Sequence, residues 1–116
     1  MVRRARGQAG PRAEVVTVGD LVLDPGTHSA MLAGRDLALT GYEFALLAAL
    51  ARRAGRVLAR EQLMELARGN AEEAFDRSVD VHISRIRQKL GDDPRRPRRI
   101  KTIRGVGYQY LTGTEL

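Results

Sequence analysis

The side chains best suited to chemistry in this sequence lie on one predicted helix, residues 76–90. Its apolar residues recur at intervals of four, three and four, which at about 100° per residue places them in one buried stripe. These residues are Val79, Ile83, Ile86 and Leu90. The opposite face holds Arg77, Val81, Ser84, Arg85 and Gln88. Arginine, glutamine, serine and small apolar groups read base edges in a major groove, so this face offers hydrogen bonding to duplex nucleic acid.

The flanks of this helix carry further polar residues. By the same spacing, Asp80 and Arg87 lie on one flank, and His82 and Lys89 lie on the other. A carboxylate that faces nucleic acid must accept a hydrogen bond from a base amine or hold an arginine in place. We expect Asp80 to orient Arg77 or Arg87.

No arrangement for catalysis or metal binding accompanies this helix in the sequence. His82 and His28 are the only histidines, and neither has a carboxylate cluster beside it. Cysteine is absent, which excludes disulfides and thiol chemistry. The Asp92-Asp93 pair falls in a polar loop, where solvated charge is the expected role rather than acid–base catalysis. We therefore predict that the protein is not an enzyme and uses no cofactor or metal.

The positive charge is concentrated in the C-terminal third. The whole sequence has a net charge of +6, and residues 77–104 contain ten basic and three acidic residues, a net of +7. Such a field attracts polyanions, chiefly nucleic acid or an anionic membrane surface. No apolar run reaches the length of about 20 residues that a membrane helix needs. Aromatic residues make up only 4 %, which disfavours single-stranded nucleic acid, where bases stack on aromatic rings.

A small antiparallel sheet is predicted near the start of the chain. Residues 1–14 contain four arginines, two glycines and a proline, and we expect them to form a flexible linker ahead of a single domain, 15–116. Apolar alternations separated by turn residues then predict four short strands. These strands are residues 15–18, 21–23, 29–32 and 37–39.

Helical periodicity begins at Thr40. Thr40 and Glu43 have the spacing of a capping box, and the helix that follows ends near Gly55. A second helix is predicted over residues 60–67. Its apolar side holds Leu63, Leu66 and Ala67.

A basic β-hairpin is predicted at the end of the chain. Two β segments, 99–103 and 108–111, flank the turn 104–107, whose glycines allow positive φ angles. Arg104 at its tip is suited to enter a minor groove or to lie along phosphates. The loop before the hairpin also carries arginines, from which we expect phosphate contacts. They are Arg95, Arg96, Arg98 and Arg99.

Four segments resemble the DNA-binding effector domain of the OmpR/PhoB response-regulator family. Residues 76–90 resemble its recognition helix and residues 100–108 its wing; residues 39–47 and 60–63 are similar to the starts of its first two helices. The matches follow the family's order and cover residues 15–111. The resemblance implies a winged helix-turn-helix: a three-helix core with an N-terminal four-stranded antiparallel sheet and a C-terminal β-hairpin wing.

The resemblance also implies which residues contact DNA. Contacts to bases in the major groove would come from Arg77, Ser78, Asp80, Val81 and Arg85, with Gln88 on the same face. Arg104 would enter the minor groove. Phosphate contacts would come from Arg60, Arg68, His82, Ser84, Arg87 and Thr102, and Lys89 is a further candidate for DNA binding. Two positions depart from relatives: Arg68 replaces a frequent tryptophan, and Ser84 replaces a basic residue of some members.

The same resemblance implies partners. The loop 69–75 matches the segment that contacts RNA polymerase in the family, through Gly69, Asn70, Glu72 and Glu73. A cytoplasmic two-component system would supply a sensor kinase and a covalently linked receiver domain, although no segment of this sequence resembles a receiver. The operator would be a tandem direct repeat with half-sites about 10–10.5 base pairs apart. Two other interpretations stay open: a basic module for double-stranded RNA or the ribosome, and a winged helix that binds protein.

Overall fold

The computed structural model describes residues 14–67 and 79–112, which form two antiparallel sheets and three helices. The N-terminal strands are β1 (Val16–Val18), β2 (Leu21–Asp24), β3 (Ser29–Leu32) and β4 (Arg35–Asp36). The remaining elements are α1 (Gly41–Arg52), β5 (Val57–Ala59), α2 (Arg60–Leu66), α3 (Val79–Leu90), β6 (Ile100–Ile103) and β7 (Gly107–Tyr110). This is the winged helix-turn-helix arrangement that the sequence predicts.

The N-terminal sheet has the strand order β1-β2-β3-β4. Its alternation places Leu21 and Leu23 against the helices. The prediction of a fourth strand at 37–39 was wrong, because β4 comprises Arg35–Asp36. The backbone N–H of Ala38 donates to Asp36 Oδ1 at 2.8 Å, and Ala38 has a φ of 54°. This turn directs the chain out of the sheet before residue 38 can pair.

Helix α1 begins at the predicted capping box. The backbone N–H of Glu43 donates to Thr40 Oγ1 at 3.2 Å, and the backbone N–H of Thr40 donates to Glu43 Oε1 at 3.0 Å. Gly55, just beyond the helix, has a φ of 88°, as expected of a residue that turns the chain away. Nearly the whole helix is buried, because it packs against the sheet, α2 and α3.

The C-terminal sheet contains a strand that the sequence analysis missed. Strand β5 pairs with β7, so the sheet has the order β5-β7-β6 rather than being a two-stranded hairpin. A Cβ atom at Gly107 would lie 1.9 Å from the backbone oxygen of Leu58. Gly107 is thus needed for the close approach of β5, whereas Gly105 supplies the positive φ (78°) of the turn.

The core is mainly aliphatic, with the aromatic rings of Tyr42, Phe44, Tyr108 and Tyr110 among its leucines and isoleucines, and it lies between the helices and the two sheets. The four apolar residues predicted for the inner face of the third helix, Val79, Ile83, Ile86 and Leu90, are all buried. On α2, Leu63 and Ala67 are buried as predicted, but Leu66 is 42 % exposed because it lies on the outer side of this short helix. Within the described ranges, no helix is long and apolar enough to cross a membrane.

Candidate nucleic-acid interface

Helix α3 presents one exposed face, as its periodicity predicts. Along the described part of the helix this face consists of Val81, Ser84, Arg85 and Gln88, which we call the reading face. Val81 is 39 % exposed although it is apolar, which leaves its methyl groups available for a thymine methyl. The reading face thus combines a guanidinium, an amide, a hydroxyl and an aliphatic side chain on one helix.

Several predicted contact residues lie outside the described residues. They are Arg68, Gly69, Asn70, Glu72, Glu73, Arg77 and Ser78. The roles predicted for them, in base reading, phosphate binding and RNA polymerase contact, stay predictions.

One flank of α3 packs on α1. His82 is 3 % exposed and meets the ring of Tyr42 edge-on, with ring centroids 4.6 Å apart. Lys89 Nζ donates to the buried carboxylate of Glu43 at 2.8 Å and to the backbone oxygen of Ala38 at 2.9 Å. Both side chains therefore hold the helix against the N-terminal half of the domain, and a phosphate contact from either would require its side chain to turn outward.

The other flank packs on the wing, β6 and β7. Arg87 is 8 % exposed, and its Nη2 donates to the backbone oxygen of Ile100 at 2.9 Å and to Thr102 Oγ1 at 2.7 Å. Burial lowers the pKa of this guanidinium, because a cation loses hydration inside the fold. The geometry gives Arg87 an internal role, joining α3 to β6, rather than an open side chain for phosphate.

Asp80 lies on the same flank and has partners that the sequence analysis did not name. Its Oδ1 accepts from Arg60 Nε at 2.9 Å and also from the hydroxyl of Tyr108. The expectation that Asp80 orients Arg87 was wrong, because that guanidinium is engaged by β6. The other expected partner, Arg77, is not among the described residues.

Two guanidinium groups lie close to the ring of Tyr108. The Cζ atom of Arg60 is 5.5 Å from the ring centroid and that of Arg87 is 5.6 Å from it, both within cation–π distance. We call the four residues Arg60, Asp80, Arg87 and Tyr108 the wing seam. The seam joins α2, α3 and β7 at one place, on the end of the hairpin that carries the turn.

Within the wing seam, Asp80 and Arg60 each stabilise the charged form of the other. The hydrogen bond from Tyr108 is the main cause that holds the pKa of Asp80 below its ordinary value, and Arg60 lowers it further. The same pairing raises the pKa of Arg60. Burial raises the pKa of the Tyr108 hydroxyl, so that it stays protonated and donates to the carboxylate.

The tip of the wing is exposed. Arg104, Gly105 and Val106 are all open to solvent, and the backbone N–H of Val106 closes the turn on the oxygen of Ile103 at 2.9 Å. Thr102 is also exposed, although its hydroxyl accepts from Arg87. The tip and the reading face are therefore two exposed surfaces joined through the wing seam.

The basic loop before β6 is ordered by carboxylates. Asp92 accepts from the backbone N–H groups of Arg98, Arg99 and Ile100 at 2.9, 3.2 and 3.0 Å. Arg99 itself forms an ion pair with Asp20 at 2.6 Å. The structure therefore assigns Arg99 to the contact between the two sheets, whereas the side chains of Arg95, Arg96 and Arg98 point to solvent.

Sequence reasoning missed Tyr108 as part of the site. Its ring is buried, and its hydroxyl donates to Asp80. The available signal was that a buried tyrosine hydroxyl needs a polar partner. The partner that the structure provides for this hydroxyl is Asp80, which the sequence analysis had paired with Arg77 or Arg87 instead.

A family model described as transcriptional regulatory protein, C terminal, matches residues 34–110. The chain is 39 % identical over 106 residues to the DNA-binding response regulator MtrA of Mycolicibacterium smegmatis, covering 91 % of this chain and 46 % of MtrA. The RstA DNA-binding domain of Klebsiella pneumoniae, solved in complex with the RstA box, is 40 % identical with a TM-score of 0.74, covering 85 % of this chain and 98 % of that domain. The C-terminal effector domain of BfmR from Acinetobacter baumannii is 45 % identical with a TM-score of 0.71, covering 91 % and 97 %.

The matches span nearly the whole length of the two solved effector domains. The chain spans about half the length of the curated relatives it matches. It belongs to the family of transcriptional regulatory protein C-terminal domains, the winged-helix effector domains of OmpR/PhoB-type response regulators.

Proposed function

We propose that this domain binds double-stranded DNA with sequence specificity and controls transcription as the effector part of a two-component response regulator. The observation that carries the proposal is the reading face: a rigid helix with an exposed arginine, glutamine, serine and valine, beside an exposed basic wing tip. Helix and tip together match the shape of a major groove and its neighbouring minor groove.

We assign base reading to Arg85 first, because its guanidinium is exposed and can donate two hydrogen bonds to a guanine. Val81, Ser84 and Gln88 support that contact along the same groove, and Arg104 contacts the minor groove or its phosphates. Phosphate contacts from Arg95, Arg96 and Arg98 would hold the duplex without reading it.

The finer parts of the proposal concern partners. Tandem copies bind direct repeats about one helical turn apart, roughly 10–10.5 base pairs. The segment 69–75 contacts RNA polymerase, and a sensor kinase acts on a receiver domain linked to this one. A role on the bacterial chromosome implies a cytoplasmic location.

The test is selection of bound duplexes from a randomised DNA library at near-physiological salt. We expect enrichment of a direct repeat with one-turn spacing. The Arg85→Ala variant, selected in parallel, should return the same motif with one position degenerate in each half-site, since the fold does not depend on that side chain. Exposed Arg52, which lies on α1 and outside the reading face, provides a matched control, and Arg52→Ala should return the wild-type motif.

Each alternative predicts another outcome. Tight binding at low salt with no enriched motif, together with a preference for A-form duplexes, would favour the RNA or ribosome module. Binding that is unaffected when both Arg85 and Arg104 are replaced would favour a protein-interaction role. Either result would overturn sequence-specific DNA reading.

A further inference from the structure

In the wing seam, two donors from different elements meet at one carboxylate oxygen. The hydroxyl of Tyr108 and the Nε of Arg60 converge on the same oxygen of Asp80, and Arg87 approaches the Tyr108 ring. Asp80 belongs to the first turn of the described α3, next to Val81 on the reading face. The contact therefore fixes the helix at the place where base reading would occur.

The seam also sits where the tip of the wing begins. Tyr108 pairs with Thr102, and the next pair, Ile103 with Gly107, closes the turn that carries Arg104. If the hydrogen bond between Tyr108 and Asp80 is lost, the wing can move relative to α3. The distance between the wing tip and the reading face would then change. That spacing must match the distance between a major groove and the adjacent minor groove.

We propose that Tyr108 is a positioning residue for DNA reading: by donating to Asp80, it locks the wing to α3 so that Arg85 and Arg104 engage the duplex as one unit. The proposal rests on the proposed function and adds a residue that acts on DNA reading through Asp80. The depressed pKa of Asp80 is consistent with it, because an ionised carboxylate holds its donors more firmly than a neutral one.

Tyr110 provides a matched control. It is the next residue on the same face of β7, its ring is equally buried, and its hydroxyl is shielded from solvent. However, it pairs with Ile100, at the end of the hairpin opposite the tip. Tyr110→Phe removes the same atom from the same strand without touching the wing seam.

The experiment measures affinity for the selected operator and for single-mismatch duplexes. Tyr108→Phe should lower the operator-to-mismatch ratio by about threefold to tenfold, the scale on which the loss of one ordinary intramolecular hydrogen bond acts. Tyr110→Phe should leave that ratio unchanged. If Tyr108→Phe lowers only thermal stability and leaves the ratio intact, the tyrosine is merely structural and the proposal is overturned.

A double-mutant cycle tests the coupling itself. In the wild type, the combined loss from Arg85→Ala and Arg104→Ala should differ from the product of the single losses by at least about threefold, and in the Tyr108→Phe background the losses should multiply. Losses that multiply already in the wild type would overturn the proposal. Should Tyr108→Phe fail to fold, Arg60→Lys takes its place in both measurements, because it removes the Nε donor to Asp80 while keeping the positive charge that a phosphate contact would use.

A third arm needs no DNA and separates this proposal from the proposed function. Amide relaxation in the free domain should show slow motion of residues 104–106 in Tyr108→Phe but not in Tyr110→Phe. Failure of the library selection would overturn sequence-specific DNA binding. The relaxation measurement could still show that Tyr108 holds the wing against α3. A tip that is equally rigid in both variants would overturn the lock even if a motif is found.

Discussion

Arginines on two sides of helix α3 differ in exposure and therefore in function. Arg85 lies on the reading face, open to solvent, whereas Arg87, two residues later and about 200° around the helix, is buried against the wing. Residue type and local sequence are alike; only the neighbouring element differs. The comparison teaches that basic charge in this domain serves two purposes, and that a count of arginines overstates the number available to DNA.

The same division separates the reading face from the wing seam as regions. Side chains of the reading face protrude from the fold, so replacing them should change DNA binding and leave stability near its wild-type value. Side chains of the seam satisfy one another, so replacing them should lower stability first. Variants of the two regions should therefore separate loss of stability from loss of DNA binding.

The two glycines of the wing give the largest contrast. Gly107→Ala should lower the free energy of unfolding by about 3 kcal/mol or more, because the added methyl would collide with the backbone of β5. Gly105→Ala has open space around it and should cost only the strain of a positive φ, about 1–2 kcal/mol. Denaturant unfolding of both variants measures the difference, and equal losses would contradict the close packing of β5 on β7.

Arg87→Ala should be the most damaging arginine replacement for stability. We expect a loss of about 2–4 kcal/mol, since the change leaves the oxygens of Ile100 and Thr102 without their donor and opens a gap beside Tyr108. Arg85→Ala is the control and should stay within about 0.5 kcal/mol of the wild type. Similar unfolding midpoints for the two variants would remove the distinction between the seam and the reading face.

Arg85→Ala should instead act on DNA. We expect a loss of about 1–3 kcal/mol in binding free energy at the preferred site, with relaxed discrimination at one base position. Titration of the operator and of its single-base variants measures both quantities. An equal loss on every duplex would show that Arg85 contributes charge but does not read bases.

Within the basic loop, Arg98 and Arg99 should differ in their contribution to DNA binding, because Arg98 is exposed and Arg99 is paired with Asp20. Arg98→Ala should weaken all duplexes alike and reduce the slope of log affinity against log salt by about 1, because one counterion-releasing contact is lost. Arg99→Ala should leave the slope nearly unchanged, because its guanidinium is already paired with Asp20. Salt titrations on a non-specific duplex measure the two slopes. Equal slopes for the two variants would contradict the assignment of Arg98 to phosphate binding and of Arg99 to the ion pair.

The ion pair between the sheets should have the smallest effect. Asp20→Asn should cost about 0–1 kcal/mol at neutral pH, as for other partly exposed pairs. Arg99 holds the pKa of Asp20 below its ordinary value of 3.8, so the stabilisation is present above that pH and disappears as the pH falls through the lower pKa of the folded state. Unfolding measured from pH 7 down to pH 2 should show the variant and the wild type converging in acid.

Periodicity and capping determined which residues belong to each face of the helices. The stripe of Val79, Ile83, Ile86 and Leu90 was predicted from spacing alone, and so was the assignment of Asp80 to one flank of α3. These features are local, because a helix turns by a fixed angle per residue. A capping box likewise involves residues only three positions apart.

Tertiary structure decided what each flank meets. Spacing could not reveal that one flank of α3 lies on α1 and the other on the wing, nor that β5, more than forty residues earlier in the chain, closes on β7. Those contacts depend on how the helices and sheets pack. Local sequence allowed both Arg85 and Arg87 to contact DNA, one on the exposed face and one on a flank, and the position of the wing then buried Arg87 and left Arg85 exposed.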